Sequence, residues 1–207
     1  MKFSVRTLAI GGTAVAALCL TGTFLAGAAV SAQTTAPSHP ITHLRPFTIV
    51  SPNFREDTFL PVSAEFGGPG SAGSGCSGRN LAPALQWFNV PAGTKSFAFT
   101  ITDVDAPVAD GFHHWIVYNI PRQVTVLRGH GSNPFSEGTN DYGTVGYGGP
   151  CPPPDGQIHH YVFTVYALSV PHITGTRLTF AQLIAKIAPH VAGATSTLGK
   201  FRLPLGR

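Results

Sequence analysis

Residues 96–120 read SFAFTITDVDAPVADGFHHWIVYNI. The first seven alternate, with Phe97, Phe99 and Ile101 on one side and Ser96, Ala98, Thr100 and Thr102 on the other. Period two is the signature of a half-buried β-strand. A polar turn with Asp103, Asp105 and Pro107 follows, and then His113 and His114 open the apolar run WIVYNI. That run has no polar face, which predicts a central strand covered on both sides. Later the chain repeats the order in DGQIHHYVFTVYAL, residues 155–168: a polar turn, His159 and His160, then an apolar run of the same kind.

The flanking segments extend this pattern. PFTIVSPNF (46–54) and ALQWFNVP (84–91) read as short strands between turns. GGPGSAGSGCSGRN (67–80) is a glycine-rich loop without the Gly-Lys-Ser/Thr ending of a phosphate-cradling loop, so no nucleotide site is read there. TFAQLIAKIA (179–188) carries the one clear helix signal. Thr179 is placed as N-cap with Gln182 three residues on, and Phe180, Leu183, Ile184 and Ile187 follow at helical spacing. With charged residues at 11% and 24 glycines and 18 prolines, many short strands are favoured over a helical bundle. The order predicts a mostly β domain with a C-terminal helix packed on the sheet.

The N-terminus is of a different kind. Lys2 and Arg6 precede an uncharged stretch from Thr7 to Val30, and Val30 and Ala32 occupy the small-residue positions of a cleavage site. Residues 1–32 therefore read as a secretory signal peptide, with an uncleaved membrane anchor as the alternative. Residues 33–46 read as a disordered lead-in and 47–207 as the folded domain. Cleavage leaves 207 − 32 = 175 residues with 11 basic and 9 acidic side chains, and no block of like charge to support nucleic-acid binding. Cys19 leaves with the signal. Cys76 and Cys151 remain, and an even pair in an exported chain predicts one disulfide.

The histidine doublets are the candidate chemistry. In an extended chain neighbours point to opposite faces, so one histidine of each pair can share a pocket. His113-Trp115-Val117 and His114-Ile116-Tyr118 are both apolar, and the pattern leaves the choice open. One histidine of each pair with Asp103 or Asp105 would suit zinc or iron, although no strong zinc spacing is present. No Gly-x-Ser-x-Gly elbow occurs. Asp103 and Asp105 also read as turn-formers before Pro107. A third reading is an anion pocket. Glycines 146, 148 and 149 allow backbone N–H groups to converge, the prolines at 150 and 152–154 stiffen the loop, and histidines beside carboxylates hold their protons more firmly.

TDVDAP (102–107), HHWIVYNIP (113–121), GYGGPCPPPDGQIHHYVFTVYAL (146–168) and LAPALQWFNVPAGTKSFAFTITD (81–103) together resemble the phosphatidylethanolamine-binding protein family, in its bacterial Raf kinase inhibitor-like branch. The resemblance runs from about Phe47 to the C-terminus. It implies a sandwich-like fold with a large central sheet, a smaller sheet and C-terminal helical structure. It also implies a small anion pocket made by Asp103, Asp105 and Pro107, by His114, by Gly149 and Pro150, and by His159 with Tyr161. His113 and His160 become outer or packing residues. Val104 departs from the family's proline, which predicts a less rigid turn. The function implied is that of an exported, non-enzymatic binding protein, periplasmic or secreted and without a cofactor. Its ligand would be a small phosphate-bearing group such as a phospholipid head group. The alternatives are a secreted His/Asp metal-dependent hydrolase and a protease or kinase inhibitor acting through surface loops.

Overall fold

The computed structural model describes residues 45–67, 75–128 and 134–206. The expected signal peptide and most of the lead-in lie outside the described residues. In chain order the strands are β1 (Thr48–Val50), β2 (Thr58–Phe59), β3 (Leu85–Phe88), β4 (Ser96–Asp103), β5 (Phe112–Pro121), β6 (Val126–Leu127), β7 (Ser136–Glu137), β8 (His159–Leu168) and, after helix α1 (Phe180–Ile187), β9 (Val191–Phe201). A six-stranded sheet runs β2-β9-β8-β4-β5-β7 and a three-stranded sheet runs β1-β3-β6. The fold is thus mostly β, with a large sheet, a smaller one and, among the described residues, a single short α-helix, as the resemblance implies.

Two apolar layers hold it together. Between the sheets, Phe97, Phe99 and Ile101 of β4, Trp115 and Val117 of β5, and Phe163 and Val165 of β8 pack with Ile49, Leu85, Trp87 and Leu127 of the small sheet. On the other face of the large sheet, Ala98, Ile116, Tyr118 and Leu168 meet Leu183 and Ile187 of α1 with Ile173 and Leu178. The helix starts as its sequence predicts. The Thr179 hydroxyl accepts from the Gln182 N–H, and the Gln182 side chain accepts from the Thr179 N–H.

Three expectations are corrected. β4 is buried on both faces, because Ala98 packs in the layer of α1 and the Ser96 hydroxyl donates to the Val170 oxygen in the segment before it. β8, expected to be covered on both sides, alternates instead, and His160, Val162, Thr164 and Tyr166 are only partly covered. The helix is not the last element. β9 follows it and pairs with β8 along its length, from His159↔Phe201 to Leu168↔Val191.

A fourth difference sets up the site. Thr102 pairs with His113 and Ile101 with Trp115, so His114 is an extra residue in β5. A bulge of this kind turns side chains away from strict alternation. His113 therefore sits beside Thr102 and does not share the face of Trp115. Its Nδ1 lies 3.0 Å from Thr102 Oγ1 and its ring stacks on Phe180 of α1 at 3.6 Å. His114 faces the other way, its ring 5.2 Å from that of Tyr161.

Candidate ligand pocket

β4 runs antiparallel to both of its neighbours, so its C-terminal end meets the starts of β5 and β8. Asp103, His114, His159 and Tyr161 are brought together there. A cavity of about 160 Å³ opens at this end, lined by Asp103, Ala106, Pro107, Phe112, His114, Tyr142, Cys151, Pro152, Pro153 and His159. A larger recess of about 460 Å³ lies elsewhere, near Asn53, Pro83 and Arg128. The Asn53 side-chain oxygen is already engaged there by the Ala84 N–H at 2.7 Å.

Asp103 organises one wall. One carboxylate oxygen accepts from the Asp105 N–H at 3.0 Å, the turn-forming role read from sequence. The other meets Nδ1 of His159 at 2.8 Å, and both side chains are almost fully buried. Asp105 is placed differently. It faces outward, paired at 2.7 Å with Nδ1 of His160 and bonded by the His160 N–H at 2.6 Å. Its partial burial pushes its pKa up, but the hydrogen bonds from His160 outweigh this, and the carboxyl sits below its usual range. Asp105 therefore fastens the 103–107 turn to β8 and does not line the cavity.

The floor is aromatic. Phe112, Tyr142 and Tyr161 surround the His114 ring at 5.0, 5.6 and 5.2 Å. Nδ1 of His114 lies 2.7 Å from the Gly148 carbonyl oxygen and 3.1 Å from that of Gly149, so this nitrogen carries a proton and donates it. Burial pulls the His114 pKa down to about 4, against the opposing pull of those carbonyls and of Asp103. The expectation that carboxylates would hold its proton more firmly fails here, because desolvation is the larger effect. At neutral pH His114 is neutral, with a bare lone pair on Nε2. That Nε2 is buried and has no hydrogen-bond partner, and the Tyr161 hydroxyl is buried beside the Asp103 carboxylate. Burial first, and then the charge of Asp103, pushes the Tyr161 phenol far above its ordinary range, so it stays an O–H donor.

The glycine loop does not form the expected nest of N–H groups. The Gly146 N–H donates to the Gly138 carbonyl, that of Gly148 to the His114 carbonyl at 2.9 Å, and that of Gly149 to Asn80 Oδ1 at 2.7 Å. The loop turns carbonyls towards the site instead. The Gly149 oxygen also accepts from the Tyr142 hydroxyl at 2.9 Å. Gly149 and Pro150 thus lie behind the wall. Close packing against residues 64–66 explains the glycine, since a Cβ there would run into the Ala64 oxygen. The Pro150 oxygen accepts from the Phe66 N–H at 2.9 Å.

Sequence reading missed Tyr142 and Phe112. Tyr142 rides a tight loop clasped by buried Asn140, whose Oδ1 accepts from the N–H groups of Tyr142 and Thr144 at 3.1 Å each. The Asn-x-x-Gly spacing of Asn140 and Gly143 was the available signal. Cys76 and Cys151 are joined, their Cα atoms 5.8 Å apart, which ties the cavity rim to the loop before Asn80. Among the described residues, no three His, Cys, Asp or Glu side chains converge as a metal cage requires.

Comparison with known proteins agrees with this fold. Residues 50–202 match the family model described as phosphatidylethanolamine-binding protein. YbcL of Escherichia coli is 47% identical over 110 residues, which are 49% of this chain and 60% of that protein. For a relative from Aquifex aeolicus the shared part is 58% of its length. The chain thus spans less than two thirds of these two curated relatives. LppC of Mycobacterium tuberculosis, named as a lipoprotein, is 34% identical over 83% of this chain and 78% of its own. The crystal structure of E. coli YbcL, described as a new member of the mammalian PEBP family, superposes with a TM-score of 0.69 at 34% identity, covering 76% of this chain and 98% of that one. A homologue from Chlamydia trachomatis, CT736, gives 0.65 at 29% identity over 75% of this chain and 97% of its own. With a model match over most of its length and the fold to go with it, the chain belongs to the phosphatidylethanolamine-binding protein family.

Proposed function

We propose that the protein is an exported, non-enzymatic binding protein that takes a compact phosphate-bearing group into the cavity between Asp103, His114, Tyr142 and His159. The observation that carries this is an orphaned atom in the cavity lining, Nε2 of the buried His114. Buried polar atoms are almost always paired, and an exception beside a cavity points to a partner that arrives from outside. Size favours a head group over a whole lipid. At roughly 30 Å³ per water the cavity holds the equivalent of about five waters, below the range of drug-sized pockets. Membership of a family named for phosphatidylethanolamine binding supports the phosphate. No serine lines the cavity, and the Cys151 sulfur is engaged in the disulfide, so neither a serine nor a cysteine nucleophile is on offer there. Export is supported by the N-terminal sequence, by that disulfide and by the lipoprotein name of LppC.

Phosphoethanolamine at millimolar concentration is expected to raise the melting temperature of the wild type, and His159→Ala to abolish that shift. A wild-type melting curve that does not move with ligand refutes the proposal.

A further inference from the structure

The donors and acceptors at the cavity floor can be counted. The three glycine N–H groups of the loop are used internally. Pro107, Pro152 and Pro153 in the lining have no N–H to give. The Tyr142 hydroxyl is spent on the Gly149 oxygen. Nδ1 of His114 is spent on the Gly148 and Gly149 oxygens, which leaves its Nε2 as an acceptor. Asp103 adds a negative charge, and no lysine or arginine lines the cavity. The Tyr161 hydroxyl lies behind the lining with the Asp103 carboxylate as its hydrogen-bonding neighbour, and the second nitrogen of His159 is a further side-chain polar atom of the wall. A fully ionised phosphate would meet a carboxylate and a lone pair here.

From this arrangement we infer that the cavity selects a phosphate monoester in its singly protonated form. The P–OH of the ligand donates to Nε2 of His114. The inference rests on the cavity being the ligand site. A phosphodiester, the linkage inside an intact phospholipid, has no P–OH and leaves Nε2 unpaired. Leaving a buried acceptor unpaired is what makes hydrogen-bond selectivity steep. His114 keeps its acceptor role over the relevant range, because its pKa of about 4 lies below the second pKa of a phosphate monoester, near 6. The charged and titratable groups around it are Asp103 on β4, His159 and Tyr161 on β8, and Asp141 and Tyr142 on the loop after β7. Their combined titration is common to every ligand and is removed by comparing ligands.

The test is calorimetric titration of the wild type from pH 5.5 to 8.5 with three probes. These are phosphoethanolamine, its phosphonate analogue 2-aminoethylphosphonate, whose second pKa is higher, and glycerophosphoethanolamine, a diester. Phosphoethanolamine affinity is expected to fall by about tenfold per pH unit above its second pKa, beyond any slope shown by the diester. The break for the phosphonate is expected at higher pH, following the ligand. The diester is expected to bind at least about tenfold more weakly at pH 5.5, the factor set by one lost hydrogen bond. Equal affinity for diester and monoester, or one common break point for both monoprotonated probes, overturns the inference while the binding function stands. No binding by any probe at any pH takes both down.

Discussion

His113 and His114 are adjacent and chemically alike, and the extra residue in β5 decides which of them faces the cavity. His113 stacks on Phe180 under α1, and burial lowers its pKa as well. His114 is enclosed by aromatic rings with its pKa pulled down to about 4, against an unfolded value near 6.5. This has a consequence for stability. Between those two values the unfolded chain binds a proton that the folded chain refuses, so stability rises with pH across this interval. The contribution is complete above about pH 6.5 and is lost as pH falls towards 4. A shift of this size is worth about 3 kcal/mol. Urea unfolding of the wild type is therefore expected to lose stability on that order between pH 7 and pH 4. His114→Gln, which cannot titrate, is expected to show a shallower slope over the same interval. Parallel slopes for the two proteins would remove His114 as the source. Ligand binding and folding then pull in opposite directions on acidification, since the singly protonated phosphate is favoured at low pH.

Among the elements, strands rich in large apolar residues and the capped helix were legible in the sequence. The rest was hidden for identifiable reasons. β9 reads VAGATSTLGKF, with small residues where a strand usually shows β-branched and aromatic ones, and its partner β8 supplies the bulk. Alternation misled for β4 because its small side chains face the helix layer and not water. The positions of Asp103, His114 and His159 were legible from the family's motif, while Asp105, expected beside them, faces outward. Protonation was not legible, because desolvation depends on the rings that fold around these side chains. The glycine loop is the sharpest case, since glycine content permits an N–H nest but does not say where each N–H will find its acceptor. Gly149 is explained by close approach, not by ligand contact. Its absent Cβ would meet the Phe66 nitrogen at 2.7 Å and the Glu65 carbonyl carbon at 2.8 Å, which are backbone atoms that cannot rotate away. Gly149→Ala is expected to cost about 2–4 kcal/mol in urea unfolding, the range of severe overpacking. Gly143→Ala is the control. Its φ of 78° imposes backbone strain but nothing lies within 4 Å, so a loss of only about 1–2 kcal/mol is expected. Equal losses at the two sites would show that backbone conformation alone accounts for Gly149.

At the scale of the molecule, the disulfide connects the inter-sheet core to the cavity. Cys76 is buried in the core layer, and Cys151 sits in the cavity wall between Pro150 and Pro152. The bridge spans 75 residues of chain that include β3 to β7. Closing a loop of that length removes unfolded-state entropy worth about 4 kcal/mol in the chain-entropy model. The same cross-link holds the rim segment against residues 64–66, where the Pro150 oxygen and the Tyr147 hydroxyl already bond to the Phe66 N–H and the Ala64 oxygen. Two effects of removing it can therefore be separated. Cys76→Ser with Cys151→Ser is expected to lower stability by about 4 kcal/mol in urea unfolding, with phosphoethanolamine affinity reduced less than about tenfold at a temperature where the variant is folded. The remaining rim hydrogen bonds predict this milder effect on binding, because they keep the wall in place without the sulfurs. If affinity vanishes in a variant shown by circular dichroism to be folded, the rim depends on the bridge for its shape, and the oxidising compartment becomes a condition for binding as well as for stability.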